Sequence, residues 1–119
     1  MKYVLMFADR VEDQQMWEKM PQDQMLAAYE HVNKWFEEHS RSGKIVGGEE
    51  LRGPSSSTTV RFKNGKPIVT DGPFIEAKEI VGGFAIVEVK DLDEALAMAK
   101  TWPGGGEGRI VEVRPVVER

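Results

Sequence analysis

A chain of 119 residues is long enough for one domain with one core and too short for two. Its 40% apolar and 30% charged residues are ordinary for a globular protein, and a formal charge of −4, with basic residues scattered among acids, argues against a cationic face for nucleic acid. Cysteine is absent, which removes disulfides, thiolate nucleophiles and zinc sites of the cysteine type, and fits a reducing compartment.

The chain opens Met1-Lys2-Tyr3-Val4-Leu5-Met6-Phe7-Ala8-Asp9. That apolar run is too short for a secretory signal, and far short of the about 20 apolar residues of a membrane helix, so the expected location is the cytoplasm. Residues 3–8 read instead as a strand that is apolar on both alternating faces, the pattern of a strand buried on two sides. Residues 9–21 show no apolar period and read as a loop that includes one helical turn.

Residues 22–42 carry the strongest helical signal. Met25, Tyr29, Val32 and Phe36 form one apolar stripe, widened by Leu26, Ala28 and Trp35. Pro21 stands just ahead, where proline costs a helix least, and Gly43 stands where a C-terminal glycine cap belongs. Residues 45–51 read as a second strand, weakened by Gly47-Gly48, and Gly53-Pro54 with the serines after it makes a turn. Residues 58–63 and 66–70 flank Asn64-Gly65, the signature of a type I′ hairpin. Within it Val60 and Phe62 point one way, and Thr59, Arg61 and Lys63 the other.

Residues 81–89 are a further strand. Asp91 follows as a helix N-cap, with Glu94 completing a capping box. Leu92, Ala95, Leu96 and Ala99 stripe this second helix, Pro103-Gly104-Gly105-Gly106 ends it, and residues 109–117 form the last strand. The three glycines lack a Walker lysine and open no helix, so they are a terminator and not a phosphate loop.

Without the hairpin, the order is β-α-β twice. This predicts an α+β fold of the ferredoxin-like β-α-β-β-α-β type, one domain over residues 1–119, with both helices on one face of an antiparallel sheet. Tyr3, Leu5 and Phe7 alternate with Val4 and Met6, and Phe84 and Ile86 with Ala85, Val87 and Val89. Helices on one side leave the second apolar face to be covered. A second copy packed sheet against sheet does this most economically, giving a homodimer, the other solution being a partly covered face that lines a ligand pocket.

The segment from Thr70 to Glu79 packs three carboxylates, a lysine and an aromatic ring between strands. Asp71-Gly72-Pro73 is a capped turn, while Glu76, Lys78 and Glu79 lie close enough to share a short helical turn. Asp71-Gly72-Pro73-Phe74 followed by Glu76-x-Lys78-Glu79 and Gly82-Gly83-Phe84 resembles the DGPF branch of the YCII-related proteins. The likeness extends to Gly47-Gly48-Glu49-x-Leu51, to Leu92-Asp93-Glu94-Ala95, and to residues 111–116. It implies a dimeric α+β barrel of ferredoxin-like subunits with a cleft, no set cofactor and no set substrate. It also implies a setting beside sigma factors of the extracytoplasmic-function class, hence a sigma-factor-linked partner. The wider family carries a helical histidine and an Asp-Pro after the second helix. Here Trp102 precedes Pro103, and His31 lies near the expected histidine.

The expected ligand site is therefore a cleft near residues 71–79, with Arg61, Asp71, Phe74, Glu76 and Lys78 as binding candidates. His31, Asp71, Glu76 and Glu79 are the candidates for acid/base chemistry, should the protein be a cofactor-independent enzyme. Turn chemistry by itself accounts for Asp71 to Pro73, but a turn needs neither Glu76 nor Lys78. Arg114 is expected to face solvent or pair with Glu49 or Glu112. Trp17, Trp35 and Trp102 are expected in core or interface more than in a pocket. With His31 and His39 eight residues apart and no ligand motif, no metal is expected.

Overall fold

The first strand, apolar on both alternating faces, sets the sheet. The computed structural model describes residues 1–72, 78–104 and 106–119. Its elements are β1 (Lys2–Arg10), α1 (Val11–Glu18), α2 (Gln22–Arg41), β2 (Ile45–Glu50), β3 (Thr58–Lys63), β4 (Lys66–Asp71), β5 (Glu79–Glu88), α3 (Leu92–Lys100) and β6 (Ile110–Pro115). Four strands pair antiparallel in the order β2-β5-β1-β6, and β3-β4 form a separate two-stranded ribbon. This is the ferredoxin-like arrangement with an inserted hairpin.

Register sorts the side chains into two faces. Tyr3, Leu5 and Phe7 lie opposite Val87, Ala85 and Gly83, and on the other side opposite Pro115, Val113 and Val111. Tyr3, Leu5, Phe7, Ala85, Val87, Val111, Val113 and Ile45 meet Trp35 and Phe36 of α2 and Ala95, Met98 and Ala99 of α3 in one core cluster. Both long helices thus cover the same face. Val4, Met6, Phe84 and Ile86 point to the other face and are only half-buried, and Val81 and Ile110 near them are exposed.

Each element end has a local cause. Asp91 accepts a bond from the Glu94 backbone N–H at 2.9 Å, the N-cap expected of α3. Asn64 and Gly65 take φ of 52° and 76°, as a type I′ turn requires. The Trp35 indole N–H donates to Thr101 Oγ1 at 2.9 Å, and that hydroxyl donates in turn to the Met98 carbonyl. The end of α3 is thereby tied to the middle of α2.

Three local expectations change. The loop expected over residues 9–21 contains α1, eight residues long and with no buried side chain. Periodicity could not reveal it, because no apolar stripe holds it in place. Glu12 and Asp13 in its first turn suit the helix dipole. Arg10 grips Asp13 with two bonds, Nε to Oδ2 at 2.7 Å and Nη2 to Oδ1 at 3.2 Å. Leu26 and Leu92, placed in helix stripes by spacing, are exposed, while Met98 is buried. Lys78 and Glu79 form no helical turn: the Lys78 carbonyl accepts the Val11 N–H at 3.0 Å, and Glu79 opens β5 opposite Arg10. Phe74 and Glu76 lie outside the described residues.

Candidate functional site

β1 carries its apolar alternation as far as Phe7, and then its register with β5 shifts between Phe7 and Ala8. A bulge of this kind re-aims the side chains that follow it. Phe7 stacks on Trp102 with centroids 3.9 Å apart and an interplanar angle of 18°. It meets the edges of Trp35 and Phe36 at 6.0 and 6.1 Å. Trp102, just beyond α3, closes this aromatic floor, and its backbone N–H donates to the Ala99 carbonyl at 3.2 Å. On the facing wall Trp17 of α1 sits edge-on to Tyr29 of α2 at 5.3 Å.

Between floor and wall lies a cleft of about 540 Å³, lined by the end of β1, by α1 and α2, by β2 and β5, and by the loop before β6. A volume of this size suits a small organic ligand. Among the described residues, five carboxylates line it, Asp9, Asp13, Glu49, Glu50 and Glu107, against the single arginine Arg109.

The charges are not equivalent. Asp9 pairs with Arg109 at 3.1 Å, both half-buried. Burial pushes the Asp9 carboxyl above its ordinary value, the Arg109 guanidinium opposes that, and the nearby Asp13 charge adds to it. Asp13 is held below the ordinary value, chiefly by the hydrogen bonds from Arg10. Tyr29 donates its hydroxyl to Glu50 Oε1 at 2.7 Å, and burial followed by that carboxylate raises the phenol. The cleft therefore holds two carboxyls shifted in opposite directions, Asp9 raised by burial and Asp13 lowered by Arg10.

Asp9 has a direct consequence for stability. Its raised value means that the folded chain binds a proton more tightly than the unfolded one, so its contribution is fully present below 3.8 and is lost as pH rises through the folded value. Asp9→Asn, which resembles the protonated form, is expected to gain in urea midpoint relative to wild type as pH rises from below 3.8 toward neutrality. Parallel curves for the two proteins across that range would show that Asp9 does not titrate in this way.

Of the candidates read from sequence, His31 lines the cleft, exposed at its mouth. Arg61, Asp71, Lys78 and Glu79 are exposed and do not line it: Arg61 lies on the ribbon, Asp71 ends β4, and Lys78 and Glu79 lead into β5. Arg114 pairs with Glu112 at 2.8 Å, one of the two partners expected. Trp35 is core, whereas Trp17 and Trp102 line the cleft. Among the described residues no group of three or more His, Asp or Glu is placed to hold a metal ion, and no helix is long and apolar enough to cross a membrane. Asp9, Tyr29, Glu50 and Arg109 escape motif reasoning. Asp9 had one available signal, a carboxylate set directly at the end of an apolar strand.

The YCII-related domain family matches residues 1–119. An uncharacterized protein of Rhizobium meliloti (strain 1021) is 30% identical over 101 residues, which is 84% of this chain and 79% of that protein. With the match running from the first strand through the last, the chain belongs to the YCII-related domain family.

Proposed function

We propose that the protein is a homodimeric small-molecule-binding member of the DGPF branch, taking in the cleft a flat, largely apolar ligand that carries a positive charge. The observation that carries this reading is an aromatic cleft of about 540 Å³ whose described lining holds five carboxylates against one arginine. Of these, Asp9 is neutralised by Arg109 and Asp13 by Arg10, leaving Glu49, Glu50 and Glu107 to set the sign at the mouth. Aromatic faces and carboxylates with no ion-pair partner among the described residues together favour an organic cation. Homodimerisation is supported by the half-buried far face of the sheet, where Val4, Met6, Phe84 and Ile86 sit beside exposed Ile110 and Val81. A sigma-factor-linked setting and the cytoplasm as its location rest on the sequence resemblance and composition.

A second reading is a cofactor-independent enzyme. It is favoured by the Asp9 carboxyl, which burial raises in the direction required of a general acid or base, with His31 on the same cleft.

The test is a thermal-shift screen of aromatic amines and their uncharged and anionic isosteres. Amines are expected to stabilise wild type, with the shift lost in Trp17→Leu and reduced in Glu49→Gln. Hits confined to anions, or hits unchanged in both variants, would sink the cleft assignment. Hits lost only in Glu76→Ala or Lys78→Ala would move the site to the segment around residues 71–79. Turnover of a hit, abolished in Asp9→Asn with binding retained, would establish the second reading.

A further inference from the structure

Two rings on the cleft wall, Trp17 of α1 and Tyr29 of α2, stand at 79° to each other with centroids 5.3 Å apart. Both are half-buried, and both line the cleft. Ring planes so close to a right angle make a corner, and the faces of such rings carry the negative part of the aromatic quadrupole. The corner is also held in place. Tyr29 donates its hydroxyl to Glu50 Oε1 at 2.7 Å, and the Trp17 side chain, which can only donate, acts on that same hydroxyl. Arg10 ties Asp13 of α1 to the end of β1, and the Val11 N–H donates to the Lys78 carbonyl at 3.0 Å. α1 buries no side chain, so its indole serves the cleft and not the core.

The chemistry of this corner favours one kind of cation. Glu49 and Glu50 of β2 line the same cleft, exposed and with no ion-pair partner among the described residues. They supply negative charge at its mouth. Hydrogen-bond acceptors are scarcer, because the Tyr29 hydroxyl is engaged on both sides and already occupies one Glu50 oxygen. A primary ammonium brings three N–H groups, and each that leaves water without finding an acceptor carries a penalty. A trimethylammonium brings none. Its charge is spread over methyl groups that pack directly against ring faces.

We propose that the Trp17–Tyr29 corner, with Glu50 beside it, is the subsite for a quaternary ammonium head. This rests on the organic-cation reading above and adds which cation is taken and where its head lies. The flat part of the ligand then meets the floor of Phe7 and Trp102 across the cleft.

The test is a calorimetric titration of benzyltrimethylammonium, benzylammonium and benzyl alcohol into wild type, Trp17→Leu, Trp17→Phe and Tyr29→Leu, with urea midpoints to check that each variant is folded. The trimethylated probe is expected to bind wild type about tenfold more tightly than benzylammonium, with benzyl alcohol weaker than either. Trp17→Leu and Tyr29→Leu are each expected to bring the two cations to similar affinity. Trp17→Phe keeps a ring face and is expected to retain part of the preference, which separates loss of the ring from loss of α1. Benzylammonium bound as tightly as the trimethylated probe by wild type, or a preference that survives both leucine variants, would overturn the corner while leaving the cation reading standing. Cations bound no more tightly than benzyl alcohol would overturn both.

Discussion

Phe7→Ala is expected to lower the free energy of unfolding by about 3–5 kcal/mol, the usual cost of emptying an aromatic site in a core. Phe7 is buried, stacks on Trp102, and touches the edges of Trp35 and Phe36. Its removal leaves three rings without the surface that orients them, and those rings belong to elements far apart in the chain. Trp35 is held by its indole N–H bond to Thr101 and so cannot move freely into the space. Against a typical total of about 5–15 kcal/mol, the loss leaves the fold marginal. Urea unfolding measures it. Phe7→Leu, which keeps most of the volume, is expected to cost less than half as much. Equal losses for the two variants would show that ring stacking, and not filled volume, is the main contribution. Phe7→Leu then serves in ligand work, since it alters the cleft floor with the fold retained.

The second large effect concerns the backbone. Gly48 in β2 has φ of +139°, and a Cβ there would overlap the Phe84 carbonyl oxygen and come within 2.8 Å of the Ala85 Cα. Both obstacles are backbone atoms of the neighbouring β5, so a rotamer change cannot relieve them. The unusual conformation by itself is worth about 1–3 kcal/mol, and the overlap adds to it by prying β2 from β5. Gly43→Ala is the matched control. Its φ is +81° but nothing lies within 4 Å of the added carbon, so only the left-handed conformation is penalised, about 1–2 kcal/mol. Gly48→Ala is expected to lower the urea midpoint clearly more than Gly43→Ala. The two losses would be similar if β2 could simply shift away. Because β2 also carries Glu49 and Glu50, a loosened β2 should weaken the Tyr29–Glu50 bond and with it cleft binding.

The strands, both long helices, the Asp91 cap, the Asn64-Gly65 turn and the placement of the helices on one face of the sheet were all legible in the residues. Each depends on a short-range rule: alternation for strands, a stripe for helices, an oxygen three residues ahead of a free N–H, and positive φ in a two-residue turn. The amphipathic ribbon was legible for the same reason. α1 was not, since its hold is ionic and not a buried stripe. Nor could helical spacing separate Leu26 and Leu92, which are exposed, from Met98, which is buried.

The cleft is a different matter. Asp9, Tyr29, Glu50, Trp102 and Arg109 share no motif, and sequence drew attention instead to residues 71–79, where polar groups are dense along the chain. His31 is the residue common to both readings. Tertiary structure decided the rest: antiparallel register places β1 between β5 and β6, so its end lies within reach of α1, α2 and the loop before β6. Spacing along a chain encodes which face a side chain takes. Which distant faces meet, and whether a carboxyl such as Asp9 is thereby partly withdrawn from water beside Arg109, is set only when the sheet closes under its helices.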